Sequence, residues 1–83
     1  MLATVASSNS AQRLKHHLAE TEKIETKIIQ TPSALAKEGC GYSLRFDKIH
    51  KPLVINAGKI LRINIRAFYR EEKANGKPIF VKE

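Results

Sequence analysis

The sequence has only one cysteine, Cys40, among its 83 residues. A single cysteine excludes an intramolecular disulfide, and a secreted domain of this size would usually depend on several. The sequence also lacks any run of about 18 apolar residues, the length that a membrane-spanning helix needs. Residues 1–10 have neither the basic start nor the long apolar run of a signal peptide. We therefore expect a cytoplasmic protein with no membrane span.

Several patterns that mark enzymes are missing as well. The glycines at positions 39, 41, 58 and 76 match neither the phosphate-binding nor the dinucleotide-binding pattern. The eight carboxylates show no spacing typical of a catalytic pair. His16, His17 and His50 are not at metal-ligand spacing with one another or with Cys40. The sequence thus predicts no cofactor and no metal site.

Length and composition predict one small globular domain. Hydrophobic residues make up 42% and charged residues 28% of the chain, which is an ordinary globular balance. The net charge of +7, from 15 basic and 8 acidic residues, favours an anionic partner such as nucleic acid or an acidic protein. The same charge could equally serve solubility alone, because the basic residues are spread along the chain.

The first half of the chain predicts two strands with a helix between them. The strands are expected at 2–7 and 24–30. Apolar residues between these strands recur at the spacing of one helix face: Ala11, Leu14 and Leu18. We expect this helix to be capped by Ser8 or Asn9 and to end near Glu22.

The middle of the chain predicts a short helical turn and a third strand. Thr31 and Pro32 can start the turn, which the glycines on either side of Cys40 interrupt. The strand is expected at 42–46, where bulky and polar residues alternate. Its core-facing residues are Tyr42, Leu44 and Phe46.

The second half predicts a helix, a strand and a hairpin. Pro52 fits the first turn of a helix, and the apolar stripe of this helix comprises Leu53, Val54, Ala57, Ile60 and Leu61. A strand at 63–71 is expected to place Ile63, Ile65, Ala67 and Tyr69 on one face. Asn75-Gly76 is the signature of a tight hairpin turn into a last strand at 79–81. The free edge of this last strand could pair with a second copy of the chain.

The order of these elements predicts an α+β fold. Strands that alternate with helices in this way favour a ferredoxin-like split βαβ sandwich with an extra C-terminal hairpin strand. Residues 1–72 would form the main domain, and residues 73–83 would form a hairpin extension of the same domain.

Cys40 is the sharpest candidate for covalent chemistry. A glycine on each side favours an accessible thiol, and Lys37 and Arg45 are the nearest cations in the sequence that could favour a thiolate. An inert cysteine packed as a small hydrophobe is an equal alternative.

RNA binding is the rival function. Residues 66–70, Arg-Ala-Phe-Tyr-Arg, are the one segment where basic and aromatic residues interleave, and related sheets stack bases on aromatic rings. The glycine and aromatic pattern of the common RNA-binding sheet is absent. The alternative to thiol chemistry is thus a small basic module for RNA or an acidic protein.

Three segments resemble the selenium/sulfur carrier protein-like domain family of small bacterial and archaeal proteins. They are the opening strand and helix start at 3–11, the strand and proline turn at 28–32, and the segment 39–46, Gly-Cys-Gly-Tyr-Ser-Leu-Arg-Phe. The order of elements in 53–69 also fits, so the resemblance covers about 70 of the 83 residues.

The resemblance implies that Cys40 carries sulfur or selenium as a persulfide or selenosulfide. Gly39 and Gly41 would keep the thiol accessible, and Lys37 and Arg45 would favour its anionic form. The partners would be donor and acceptor proteins, and the chain itself would be a carrier rather than an enzyme. Two departures stand out: the family often places an arginine directly after the proline, where this chain has Ser33, and residues 73–83 extend beyond the usual domain.

Overall fold

The fold is α+β, with two helices and a five-stranded antiparallel sheet. A computed structural model describes residues 1–35 and 41–83, and the structural statements below concern those residues. The strands are β1 (Leu2–Val5), β2 (Lys27–Gln30), β3 (Tyr42–Arg45), β4 (Ala67–Ala74) and β5 (Lys77–Lys82). The helices are α1 (Ser8–Thr21) and α2 (Lys51–Leu61), and a 3₁₀ turn at Lys48–His50 precedes α2. Neither α1 nor α2 is long and apolar enough to cross a membrane.

The sheet has the strand order β2-β3-β1-β4-β5, and every neighbouring pair is antiparallel. Helix α1 connects β1 to β2, and these two strands have β3 between them. Helix α2 connects β3 to β4, which have β1 between them. The predicted α+β class is therefore confirmed.

The core lies between the helices and one face of the sheet. Helices α1 and α2 pack against each other on that face. The core residues they enclose are Ala3, Val5, Ala11, Leu14, Leu18, Leu44, Phe46, Val54, Ala57 and Ile63. Burying a side chain of leucine size contributes about 1.5–3 kcal/mol, so this cluster supplies most of the stability of a small chain.

The cap of α1 differs from the prediction. Ser7 has an extended backbone, with φ −142° and ψ 157°, and its hydroxyl accepts a hydrogen bond from the Ser10 N–H at 3.2 Å. Ser8 and Asn9 lie inside the helix. The prediction of either as the cap is wrong because an N-cap needs the non-helical backbone that Ser7 has.

Helix α2 confirms the expected proline position but not its whole apolar stripe. Pro52 lies in the first turn, while Ile60 is 58% exposed and does not belong to the buried face. The helix ends at Arg62, whose backbone is left-handed with φ 57°. Gly58 is buried at the place where the returning chain crosses the helix.

The segment 63–66 is not a strand, contrary to the prediction. Ile63 donates its N–H to the Gly58 carbonyl at 2.9 Å, so the chain follows the end of α2 before it joins the sheet. Ile63 and Ile65 pack on the helix-covered core. Ala67 and Tyr69 instead pair with Thr4 and Leu2, on the opposite sheet face. The four residues therefore do not share one face, as strand alternation had predicted.

The Asn75-Gly76 turn is confirmed. Both residues have a left-handed backbone, with φ values of 52° and 76°, as a two-residue turn of the mirror-image type requires. The turn joins β4 and β5 into a hairpin whose outer strand, β5, is an edge of the sheet.

Pro78 lies on the free edge of β5. The Glu83 N–H donates to the Phe68 carbonyl at 2.9 Å, and hydrogen-bonded pairs alternate along an antiparallel ladder. The Phe68–Glu83 pair is therefore hydrogen-bonded. The Lys73–Pro78 pair lies five positions further along the same ladder, so it has no ladder hydrogen bonds. The nitrogen of Pro78 thus faces outward, where a proline removes a donor that a further strand would use.

We expect Pro78→Thr to increase self-association, because it restores this donor at the edge where a second copy could pair. Size-exclusion chromatography with light scattering should show a monomer for the natural sequence and a concentration-dependent shift toward a dimer for the variant. Pro52→Thr is the matched control, since it also replaces a proline but leaves the edge unchanged. A natural chain that is already a stable dimer would contradict this prediction.

Glu83 connects the hairpin to the start of α2 through side-chain hydrogen bonds. Its carboxylate accepts hydrogen bonds from Lys51 Nζ at 3.3 Å and from Arg70 Nη1 at 2.8 Å. Lys51 Nζ also lies 5.1 Å from the centre of the Phe68 ring. The hydrogen bond from Lys51, followed by the one from Arg70, holds the pKa of Glu83 below its ordinary value of 4.5.

The lowered pKa of Glu83 predicts a pH-dependent attachment of β5. The stabilisation that the ionised Glu83 carboxylate gives to the folded state is fully present above the ordinary pKa of 4.5. It disappears as the pH falls through the lower pKa of the folded state. Glu83→Gln should therefore exchange the amide hydrogens of β5 faster at neutral pH, with little difference from the natural chain in strong acid. A difference that persists in strong acid would contradict an ionic origin.

Candidate functional site

Four strand ends lie at one end of the sheet, and two of them belong to β2 and β3, whose connection contains Cys40 in the sequence. Strands β1 and β2 finish there, at Val5 and Gln30, while β3 and β4 begin there, at Tyr42 and Ala67. Tyr42 pairs with both Val5 and Gln30. We call this the Gly41 end of the sheet, because Gly41 directly precedes β3.

Two hydrogen bonds close the base of the connection between β2 and β3. The Thr31 N–H donates to the Gly41 carbonyl at 3.1 Å, and the Thr31 and Ser43 hydroxyls lie 2.8 Å apart. Both side chains are buried, with Ser43 fully so. Residues 36–40 of this connection, which include Lys37, Gly39 and Cys40, lie outside the described residues. The structure therefore describes how the connection is anchored at its two ends.

The Thr31–Ser43 hydroxyl pair should be sensitive to removal of one partner. We expect Ser43→Ala to lower the free energy of unfolding by about 1–3 kcal/mol, since the buried Thr31 hydroxyl loses its partner. The double variant Thr31→Val/Ser43→Ala should recover most of this loss, because neither position then buries an unpaired polar group. Urea denaturation of the natural chain, of each single variant and of the double variant measures this, and additive losses in the double variant would contradict the pairing.

Of the predicted site residues, Gly41 and Arg45 are described, and they lie at opposite ends of β3. Gly41 is exposed and has no left-handed backbone. Arg45 binds Glu71 through two hydrogen bonds, from Nε to Oε1 at 3.1 Å and from Nη2 to Oε2 at 2.9 Å. Four residues of extended strand separate Arg45 from Gly41 by about 14 Å. The structure does not bring the Arg45 guanidinium to the Gly41 end.

The directions in which the two helices run bring several cations to the Gly41 end. Helix α2 ends there, which brings Lys59, Arg62 and Arg66 to it. Arg13 of α1 reaches the same place, since its Nη2 donates to the Leu61 carbonyl at 3.3 Å. These four positive charges lie around the strand ends next to the β2–β3 connection.

Most of the described acidic residues lie toward the other end of the molecule. They lie at or after the end of α1, after β3, or on β4: Glu20, Glu22, Glu25, Asp47, Glu71 and Glu72. Glu83 is opposite Phe68, nearer the Gly41 end, and its carboxylate is bound to Lys51 and Arg70. Helix α1 begins at the Gly41 end and has no acidic residue in its first turn. Its positive dipole end adds to the cations there, so the described part of this end favours an anion.

A depression open to solvent lies beside the Gly41 end, between α2 and the chain that returns to β4. We call it the α2 depression. Its walls are apolar, its rim is basic, and its volume is about 420 Å³. The lining residues are Ile55, Gly58, Ile63, Ile65 and Phe68, with the exposed Lys59, Arg62 and Asn64 at the rim. Sequence reasoning missed this site, although Gly58 within an apolar helix stripe was a signal of close approach.

The segment proposed from sequence for RNA stacking does not present its two rings together. Phe68 turns toward the core and meets the Phe46 ring edge-on at 6.2 Å, whereas Tyr69 pairs with Leu2 on the other sheet face. Arg70 is bound to Glu72 and Glu83, and these pairs raise its pKa, with the Glu72 hydrogen bond as the largest cause. These contacts give the segment a structural role.

Comparison with known proteins gives one match. A model of the family described as "Putative Se/S carrier protein-like" matches residues 1–70. This range contains the segment 39–46 and ends within β4, before the hairpin turn. No curated protein and no solved structure matches the chain.

Proposed function

The chain belongs to the "Putative Se/S carrier protein-like" family, and from this premise we propose that it carries sulfur or selenium on the thiol of Cys40. The carried group is a persulfide or selenosulfide that passes between a donor and an acceptor protein. The observation that carries the proposal is the family match over residues 1–70, which includes Gly39-Cys40-Gly41. The chain acts as a carrier, and enzymes on either side make and use the cargo.

The transfer step needs only one thiolate on this chain. The Cys40 thiolate attacks the outer sulfur of a persulfide on the donor, so that a new S–S bond forms on Cys40 as the donor S–S bond breaks. The donor leaves as a thiolate, and no external oxidant is consumed. An acceptor thiolate then takes the outer sulfur in the same way and returns Cys40 to its thiolate.

The charges at the Gly41 end support this chemistry. Lys59, Arg62 and Arg66 create a positive field that favours an anionic sulfur over a neutral thiol. Arg45 is bound to Glu71 at the opposite end of β3. We therefore propose that Lys59, Arg62 and Arg66, rather than Arg45, stabilise the anionic form of the sulfur. Roles for Gly39, Gly41, Lys37 and Arg45 stay predictions.

We also infer a split βαβ, ferredoxin-like arrangement for this carrier domain. Two observations support it: β3 lies between β1 and β2, and β1 lies between β3 and β4. Residues 1–72 would form the carrier domain and residues 73–83 its extension, as the end of the family match at residue 70 suggests. We place its activity in the cytoplasm, where a thiol stays reduced without a partner cysteine.

Intact-mass spectrometry tests the carrier function. The protein is incubated with a cysteine desulfurase and cysteine, and then analysed without reductant. We expect a gain of one sulfur atom that reductant reverses and that Cys40→Ser abolishes. Ala34→Ser is the matched control, because it introduces the same side chain at an exposed position of the same connection and should leave sulfur acceptance unchanged.

The competing result is also clear. If no adduct forms, and the native thiol reacts with a labelling reagent only after unfolding, then Cys40 is a structural residue. That result would reject the carrier function.

A further inference from the structure

We propose that the α2 depression is a docking site for an acidic segment of a partner protein, which inserts one apolar side chain between its carboxylates. The identification of this partner as a donor or acceptor of sulfur rests on the proposed function. The docking itself depends on the shape, charge and position of the depression.

The shape of the depression fits a protruding side chain. Its volume of about 420 Å³ lies within the range of about 300–1,000 Å³ that small binding sites occupy. Apart from Phe68, the polar Asn64 and the two cations, its lining is aliphatic or glycine. Gly58 allows the side chain of Ile65 to approach α2 closely, because a Cβ at this position would lie only 2.9 Å from Ile65 Cδ1. The absence of that Cβ lets the returning chain pack directly on α2 and leaves the apolar hollow beside it.

The charge of the rim specifies an acidic occupant. Lys59 and Arg62 line the opening, and no carboxylate is among the described lining residues. Within the described ranges, neither side chain takes part in an ion pair. Exposed charges of one sign around an apolar centre steer a partner of the opposite sign and fix its orientation.

The position of the depression links it to the Gly41 end. Arg66 donates its N–H to the Thr4 carbonyl at 2.9 Å, and Thr4 pairs with Ser43, the residue after Tyr42. Two strand spacings, or about 10 Å, therefore separate Tyr42 from Arg66. A protein segment seated in the depression is therefore about two strand spacings from the start of β3.

A small free ligand fits less well than a protein segment. The depression is open to solvent, so a small molecule would remain largely exposed, whereas buried ligands usually have most of their surface covered. A partner protein would itself cover the opening and exclude water from the apolar contact. We therefore assign the site to a protein partner.

Titration of the isotope-labelled natural protein with synthetic peptides, followed by NMR, tests the docking. The probe is an acetylated and amidated pentapeptide with one phenylalanine between two pairs of glutamates. Two control peptides replace the phenylalanine with serine, or the glutamates with lysines. We expect saturable shifts at Ile55, Gly58 and Ile65 with the first peptide, and at least several-fold weaker binding of both controls.

The chain offers a matched pair of variants for the charge. Arg62 and Lys23 both have a left-handed backbone, with φ values of 57° and 56°, and asparagine tolerates that conformation. Arg62→Asn and Lys23→Asn each remove one positive charge, but Lys23 follows the far end of α1. We expect Arg62→Asn to weaken peptide binding about two- to five-fold, the usual effect of one exposed ion pair, and Lys23→Asn to leave it unchanged.

Three outcomes would overturn the proposal. They are equal binding of the phenylalanine and serine peptides, equal effects of Arg62→Asn and Lys23→Asn, and tighter binding of hexanoate than of the peptide. The last result would assign the depression to a small apolar carboxylate.

A transfer assay separates this proposal from the carrier function. If Cys40 accepts sulfur, Arg62→Asn should raise the KM for the transfer partner more than Lys23→Asn does. If Cys40 accepts no sulfur, the peptide titration still decides whether the depression binds acidic segments. Failure of docking and failure of carriage are therefore distinct results.

Discussion

The sheet depends on the pairing of β1 with two neighbours. Each residue of β1 is at most 2% exposed, and the strand pairs with β3 on one side and β4 on the other. Ala3 and Val5 pack under the helices, while Leu2 and Thr4 are buried on the opposite face. A four-residue strand thus joins both halves of the chain, because β2 reaches the sheet only through β3 and β5 only through β4.

The central position of β1 also fixes where the charges fall. Helix α1 leaves β1 at the Gly41 end and runs away from it, whereas α2 runs back toward it. Acidic residues that follow α1 are therefore carried to the far end, and basic residues at the end of α2 are carried to the Gly41 end. The carbonyls at the end of α2 would oppose this field, but Arg13 binds the last of them, at Leu61.

The sequence predicted the local elements better than their relations. Periodicity found the buried residues of α1 and Leu44 of β3 but missed the buried Ser43. The Asn75-Gly76 pair identified the hairpin. These signals depend only on neighbouring residues. Ile65 was misassigned because strand alternation cannot reveal that residues 63–66 follow α2 through the Ile63–Gly58 hydrogen bond. Ile60 was misassigned for a related reason, since its helical spacing fits the apolar stripe but its side chain is exposed.

The candidate site shows the same limit. Cys40 was proposed from its flanking glycines and from the family resemblance, both of which are local patterns, and its role stays a prediction. The grouping of Arg13 with Arg62 and Arg66 could not be predicted, since the two helices must first be placed antiparallel along the sheet. Arg45 is close to Cys40 in sequence, yet an extended strand carries it away at about 3.4 Å per residue and delivers it to Glu71. Sequence proximity is therefore a poor guide to electrostatic support when a strand intervenes.

A carrier protein has to dissociate from each partner as readily as it associates with it. The described surface has features that meet this requirement. Exposed rim charges speed association but are screened by salt and contribute little lasting affinity. One apolar side chain in an open depression would orient the partner. It would bury far less surface than a permanent interface does. Both features lie on α2 and on the chain that returns to β4, away from the β2–β3 connection itself. If Cys40 carries sulfur as proposed, this separation would let one docking surface serve a donor and an acceptor in turn.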